Sequence, residues 1–501
     1  MIHHPKSHFS LSRRSLLSGV LCVTAAAAYP LRHSHAGQAL ASTGEKILLS
    51  DGDLMDLQRS LSGPVILPSS LEYDAARRLW NPAVDHHPAL IAKCTSLDDI
   101  QAALQFARRH NVLTAIRCGG HNYDGLGMAN GGMTIDISGY NGVEVDQSKM
   151  SAFVKGGSIL RNLDEATIPL GVATTAGVVS HTGVGGLATG LGQGRLARML
   201  GYTIDNVRGV NVLTPDGRSL HADATENSDL YWGVRGGGGN FGIVTEFELE
   251  LYEFDPTVTT ISFNYPVSKA ADVLKALFEL GEVVPNEMSL GAGVRTNGNG
   301  ETTCAFGGVH AGSQESAQKI LAPYLKRLGD PLRTRFNEVD YLWLQGIADG
   351  DLLAKSATYY QSGFFNSVDE KIADEVAEYA TKNTYPGSQI RFGHQAGKTA
   401  TVASDATAFP YRDTQFQFTT DIHWADPQAG QACRKFSDDA WSAIRPMSSG
   451  GFYVNLAFGP SEADIREAYA GNYDRLVDVK DKYDPTNFLR LNVNIKPTNM
   501  I

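Results

Sequence analysis

Apolar and polar positions along the chain follow two periods, one helical and one strand-like, and short segments of each alternate. From Ser96 to Asn111 the spacing is helical: Ile100, Ala103, Leu104 and Ala107 share one face. Ser96 and Asp99 stand as a capping box, and Arg108, Arg109 and His110 suit the negative end of a helix dipole. The pattern predicts a helix there. Leu113 to Ile116 has the length and texture of a buried strand and runs directly into Arg117-Cys118-Gly119-Gly120-His121. Met133 to Ile137, Ala152 to Val154 and Ile243 to Leu251 read as further strands, and Ser158 to Leu170 as a helix. Gln415 to Trp424 alternates polar with apolar residues, which predicts a strand with one face in a cavity. Ser461 to Tyr483 is helical in period and is stopped by Asp484-Pro485. Short strands mixed with helices, without a regular βαβ repeat, predict an α+β fold.

Glycine punctuates this pattern. Much of the total of 52 falls into clusters, at Gly119-Gly120, at 183–194 and at 236–242. Glycine lets backbone turn sharply or approach a ligand closely, but each cluster alone reads as a tight loop. Gly183-Val184-Gly185-Gly186-Leu187-Ala188 fits a dinucleotide fingerprint, with Asp205 at a suitable distance. Its lead-in, Val178-Val179-Ser180-His181-Thr182, is too poor a strand to make a Rossmann unit.

Composition narrows the function. The 501 residues, 42% hydrophobic and 19% charged, suffice for two or three domains with sizeable cores. The net charge of -11 argues against nucleic acid and anionic membranes as partners. The first 41 residues carry Lys6, Arg13, Arg14 and Arg32 but no acidic residue, so the remainder is more acidic still. Ser12-Arg13-Arg14-Ser15-Leu16-Leu17 reads as a twin-arginine export signal, the plainer alternative being an ordinary secretory signal. The apolar run from Leu16 to Ala28 is too short for a membrane span, and cleavage is expected after Ala36 or Ala41. Cys94, Cys118, Cys304 and Cys433 form no C-x-x-C pair, so no zinc, iron–sulfur or other metal site is expected.

The order of the motifs says more than any one of them. Arg117-x-Gly119-Gly120-His121-x-Tyr123 is followed by Ile135-Asp136-Ile137-Ser138, Thr182-Gly183-Val184-Gly185-Gly186 and Asp205-Asn206-Val207. Then come Asp229-Leu230-Tyr231-Trp232-Gly233-Val234-Arg235, a run of glycines to Asn240-Phe241-Gly242, Asn472-Tyr473-Asp474-Arg475-Leu476 and Tyr483-Asp484-Pro485-Thr486-Asn487-Phe488. This series resembles the berberine-bridge-enzyme-like branch of the vanillyl-alcohol-oxidase flavoproteins over nearly the whole chain after residue 41.

The resemblance implies a two-lobed FAD domain at 42–255 and a substrate domain on a large antiparallel sheet at 256–455. It also implies a segment at 456–501 that returns to the FAD domain. It implies that Arg117, Cys118, Gly119, Gly120, His121 and Asn122 cradle the FAD pyrophosphate, with His121 bonded covalently to the flavin ring. Thr182, Gly183, Val184, Gly185, Gly186 and Gly190 would pass along the cofactor. Ile243 and Val244 would meet its adenine end, and Asn492 and Asn494 would close the flavin site. Many relatives add a second, cysteinyl link; Val179 stands at that position, so a single histidyl bond is expected. Thr182 occupies the position that gates oxygen and is nearly isosteric with valine.

The implied reaction is hydride transfer from a small alcohol-type substrate, such as a sugar, polyketide or alkaloid, to FAD. Oxygen is the expected acceptor; a dehydrogenase with another acceptor, or a flavin-binding protein without turnover, are the alternatives. The catalytic base is less legible. The family's Tyr-x-Asn-Tyr strand is here Tyr453-Val454-Asn455-Leu456, which leaves Tyr453. Thr419 stands where relatives carry a carboxylate, with Gln417, Asp421 and His423 on the same alternating face. The candidates are Tyr453 as base, Asp421 as its partner, and Tyr123.

Overall fold

The computed structural model describes residues 37–347, 349 and 356–499. The expected export signal lies outside the described residues, apart from its last few positions. Among the described residues no helix is long and apolar enough to cross a membrane.

The predicted helix forms over Leu97–Arg109. Asp99 N–H donates to Ser96 Oγ at 3.1 Å, and Ser96 N–H to the Asp99 carboxylate at 3.2 Å, closing the capping box. Its apolar stripe, Ile100, Ala103, Leu104 and Ala107, is fully buried. It joins strand Leu90–Lys93 to strand Thr114–Arg117, and both flank Met133–Asp136 in parallel. Val65–Ile66 completes this four-stranded sheet.

A second lobe holds a five-stranded antiparallel sheet, ordered Ser219–Asp223, Val207–Leu213, Ile243–Glu250, Ser151–Lys155, Val143–Asp146. The stretch read as one helix from 158 is an α-helix over Leu160–Thr167 followed by a 3₁₀ turn over Ile168–Leu170.

The third unit is a seven-stranded antiparallel sheet, ordered Arg333–Asp340, Thr257–Pro266, Thr302–His310, Met288–Thr296, Gln389–His394, Phe416–Trp424, Ala357–Phe365. The alternation of its strands divides its two faces. Phe263, Phe306, Phe392, Phe418 and Ile422 pack under helices that include Ala270–Gly281, Glu370–Thr381 and Gly430–Ile444. Gln417, Thr419, Asp421 and His423 point the other way. Phe416–Trp424 is nonetheless buried on both faces for most of its length, because the first lobe leans against the polar one.

The C-terminal segment returns to the second lobe, where Leu476, Val479, Val493 and Ile495 join its core. The stretch from Ser461 to Tyr483 is two helices, Glu462–Tyr469 and Tyr473–Tyr483, with Ala470 at φ 42° between them. The break has a cause: the Asn472 amide donates to the carbonyls of Ser404, Thr407 and Ala408 and ties the chain to a loop of the seven-stranded unit. Buried Lys480 donates to Asp484 at 2.7 Å and to the carbonyls of Asn240 and Leu489, fixing the turn that follows. Asn240 then grips the chain end through Val493 O and Ile495 N.

Candidate active site

Two glycine loops meet at the centre of the site. Strand Thr114–Arg117 delivers Gly119 against Gly183, which caps helix Val184–Gly190. A methyl group on Gly119 would lie 2.3 Å from Gly183 N, and one on Gly183 would lie 2.4 Å from Gly119 N. The two backbones touch, and neither position admits a side chain. Gly120 needs the left-handed region, at φ 68°. Cys118 packs beneath the contact, where burial pushes its thiol up to about 11, so it fills space rather than reacts. The Arg117 guanidinium donates to the carbonyls of Ala76 and Arg78, clasping the neighbouring loop. Asn122 accepts from the N–H groups of Asp124 and Leu126 and closes the turn after His121.

His121 points from this loop into a half-buried aromatic cluster. Its Nε2 lies 2.6 Å from His181 Nδ1, so one ring donates to the other. Trp80 stacks on it at 5.5 Å between ring centres. Burial, with His181 adding to it, lowers the His121 pKa to about 3, so this imidazole is neutral at physiological pH and keeps a nucleophilic lone pair. Trp80 also packs on Tyr123 at 4.9 Å, and Tyr123 meets Tyr360 edge-on at 5.5 Å. Tyr360 belongs to the large sheet, so this aromatic series leads from His121 onto its polar face.

There Tyr360 stands directly across from Asp421, and Gln389 flanks Asp421 on the other side. Asp421 bonds Thr358 Oγ1 at 2.9 Å and pairs with His423 at 3.1 Å. Burial opposes ionisation of Asp421, but the His423 charge and these hydrogen bonds hold its pKa below the usual range. The same pairing outweighs burial at His423 and raises its pKa. Burial lifts Tyr123 well above an ordinary tyrosine, and the Asp421 charge adds to the effect.

Tyr453 arrives by a different route from the one its motif suggests. It lies on no strand: Gly450 and Gly451 adopt φ 89° and 68°, and a 3₁₀ turn over Val454–Leu456 follows. Tyr453 N–H donates to Ser362 Oγ at 3.1 Å, and its hydroxyl oxygen accepts Gln193 N–H at 3.2 Å. Burial raises its pKa to about 12, while the amides of Gln193 and Gly192 pull the other way. None of the hydrogen bonds of Asp421 goes to Tyr453, so the expected direct partnership is absent; its side-chain partners are Thr358, Gln389 and His423. The charges of both groups nevertheless bear on Tyr123, each raising its pKa further.

The remaining residues named from sequence spread around this centre. Thr182 N–H donates to Val179 O at 3.0 Å. Val184 is buried in the lobe core, and a Cβ on Gly185 would meet Gly156 O at 2.6 Å. Gly186 faces open space. Gly190 makes room for Asn455, whose amide donates to Gly186 O at 2.7 Å. Ile243 and Val244 open strand Ile243–Glu250, and the Val244 carbonyl passes so close to Gly156 that a Cβ there would lie 2.1 Å away. The Asn492 amide donates to Leu489 O at 3.0 Å.

Sequence reading missed Trp80, His181 and Tyr360. His181 stands next to Thr182, and a second imidazole beside a cofactor loop was the available signal. Trp80 and Tyr360 carried none, since long-range packing brings them in.

The arrangement suits FAD on its own geometry. Asn492 Oδ1, Asn494 Oδ1, His181 Nε2 and Thr419 Oγ1 are buried without a hydrogen-bond partner, and buried polar atoms of this kind require one. The backbone-on-backbone glycine loops offer N–H groups to a pyrophosphate.

Comparison with known proteins agrees. A family model described as FAD binding domain matches residues 88–223, and one described as berberine and berberine like matches residues 453–496. The chain is 27% identical over 446 residues to an FAD-linked oxidoreductase of Dictyostelium discoideum, covering 87% of this chain and 95% of that one. It is also 27% identical over 460 residues to (R)-6-hydroxynicotine oxidase of Paenarthrobacter nicotinovorans, covering 87% and 97%. Xylooligosaccharide oxidase of Myceliophthora thermophila superposes with a TM-score of 0.78 at 24% identity, over 89% of this chain and all of that one. The protein is therefore an FAD-linked oxidoreductase. Within that class it is similar to the berberine-bridge-enzyme-like flavoproteins, whose C-terminal segment model matches residues 453–496.

Proposed function

We propose that the protein oxidises a small alcohol-type substrate on the polar face of the seven-stranded sheet, with FAD held covalently through His121 and oxygen as the electron acceptor. Bound FAD supplies the two-electron acceptor for the substrate C–H hydrogen. The chain's own residues supply the rest. His121 is neutral, half-buried and hydrogen-bonded to His181, and its imidazole would hold the flavin through the ring methyl carbon, the methyl proton leaving to solvent and the two electrons passing through the flavin to oxygen. Tyr453 takes the substrate hydroxyl proton as the carbon becomes a carbonyl. The amides of Gly192 and Gln193 oppose the burial-driven rise of its pKa and would stabilise the phenolate, whose own proton must leave to solvent before it accepts the proton of the substrate. Asp421 and His423 hold the opposite wall, and Tyr123 and Tyr360 exclude water.

The observation that carries this reading is the aromatic series His121–Trp80–Tyr123–Tyr360, which links the cofactor loop to a sheet face that holds the unpartnered buried groups Gln417 Nε2 and Thr419 Oγ1. Oxygen use is supported by Thr182, whose shape resembles valine, and by oxidases among the relatives. The test is anaerobic mixing of the purified yellow protein with a panel of sugars and aromatic alcohols. A substrate bleaches the flavin; admitting air then restores the colour and releases one hydrogen peroxide per turnover. Flavin that bleaches and stays reduced in air for minutes contradicts the oxidase reading, and flavin untouched by the whole panel contradicts turnover of alcohols.

A further inference from the structure

The polar face of the sheet carries four arginines that the chemistry above does not use: Arg333 and Arg335 on the far edge strand, and Arg391 and Arg295 nearer Thr419 and Asp421. Arg391 lies on Gln389–His394, opposite Thr419 on one side and Gly293 on the other. Arg295 lies two residues beyond Gly293, opposite Gln389. Period-two alternation puts both on the face that holds Asp421, Tyr360 and Thr419. Both are exposed, and neither makes an ion pair or side-chain hydrogen bond among the described residues.

Their surroundings set them apart from ordinary surface arginines. The fold leaves room for Arg391: a methyl on Gly293 would strike its Cβ at 2.4 Å, so glycine is required opposite it. On the same face, a Cβ on Gly393 would meet nothing nearer than Gln395 at 3.8 Å, so the floor beside Arg391 is bare. The Arg391 charge reaches the buried tyrosines of the site and opposes the burial-driven rise at both Tyr123 and Tyr360. Arg295 acts in the same way on His423, lowering its pKa against the pull of Asp421. The one carboxylate on this face, Asp421, is already committed to His423, Thr358 and Gln389. The chain has a net charge of -11, yet among the described residues no carboxylate pairs with either guanidinium.

We infer that Arg391, assisted by Arg295, binds a carboxylate on the substrate, so that the compound oxidised is a hydroxylated carboxylic acid rather than a neutral alcohol. The inference rests on the site assigned under Proposed function and names the class of compound it takes. A guanidinium presents a planar fork of donors that matches a carboxylate with two parallel hydrogen bonds, which fixes orientation as well as attraction. With the carboxylate at Arg391, the hydroxyl-bearing carbon lies toward Tyr360 and Tyr123, inside the polar face. Arg391 and Arg295 are specificity residues here; the proton and hydride move elsewhere.

The experiment uses the flavin-loaded protein and matched pairs that differ only in a carboxylate against a hydroxymethyl or neutral group: glucuronate and glucose, lactate and 1,2-propanediol, mandelate and 1-phenyl-1,2-ethanediol. Under anaerobic conditions, ligand binding is read as a shift of the flavin absorbance band and turnover as its bleaching. At least one acid should bind tenfold or more tightly than its neutral partner. Arg391→Gln should raise that Kd or KM by roughly tenfold or more, and Arg295→Gln by less. Arg391→Lys should recover part of the affinity, since it keeps the charge and loses the fork. The flavin spectrum without ligand and the melting temperature should stay as in the wild type, which separates lost recognition from lost fold. Neutral members that bind or bleach as well as the acids overturn the inference, as do acids that produce no spectral shift and an unchanged KM in Arg391→Gln. An acid that binds without bleaching upholds it while contradicting hydride transfer from that compound, so the two readings fail separately.

Discussion

Tyr453 shows how much a single residue owes to local geometry. Its motif lacks the second tyrosine, and Leu456 stands in its place. The two glycines before it turn the chain so that the hydroxyl oxygen meets the Gln193 amide. Removing that hydroxyl removes the proposed proton acceptor and little else, because the ring stays packed among Tyr202, Phe364 and Phe409. Tyr453→Phe should therefore keep its flavin and fold while the rate of anaerobic flavin reduction falls by about 10²–10⁴-fold. Stopped-flow absorbance measures this, and a rate within a factor of a few of wild type would move the base to Tyr123 or the Asp421–His423 pair. At this scale the sequence revealed residue types better than partners. Asp421 and Tyr453 were both legible as candidates, but cross-strand register gives Asp421 to His423, Thr358 and Gln389, and no local pattern encodes register between strands sixty residues apart.

At the scale of elements, the most legible piece was the one built from local signals. Helix Leu97–Arg109 declares itself through its cap, its stripe and its basic end, all within sixteen residues. The cap also gives it a pH signature. Burial opposes ionisation of Asp99, but N–H donors from Ser62 and Thr95 and the hydroxyls of Thr95 and Ser96 win, holding its pKa at about 2. The depressed value means that the charged form stabilises the folded state. That contribution is fully present above the ordinary aspartate range near 3.8 and is lost as pH falls through about 2. It is worth about 2 kcal/mol. Asp99→Asn should thus lower the urea midpoint at pH 6, and the difference from wild type should shrink steadily below pH 4. A difference independent of pH would assign the effect to packing alone. The stretch from Ser461 to Tyr483 was harder to read, because its break at Ala470 answers to Asn472 gripping a distant loop and its apolar period runs through undisturbed.

For the whole molecule, the ordered glycine motifs made the architecture legible: two FAD lobes, a seven-stranded sheet and a returning C-terminal segment are what the series implied. The proposed substrate wall was not legible, since Tyr360, Arg391 and Arg295 come from strands that become neighbours only when the sheet assembles. Destination is a property of the whole chain too. We propose that residues 1–41 direct export of the folded, flavin-loaded protein by the twin-arginine route. Replacing both Arg13 and Arg14 by lysine should strand the yellow protein in the cytoplasm, as read by cell fractionation; undiminished export of that variant would point to an ordinary secretory signal.

The central claim is that His121 carries the flavin, and denaturing the protein tests it most directly. Wild-type protein precipitated in acid should keep its yellow colour in the pellet, and a proteolytic peptide containing His121 should carry the added flavin mass. His121→Ala should release its colour or fail to take up flavin covalently. Flavin set free into the supernatant from the wild type, or attached to any peptide without His121, would contradict the account.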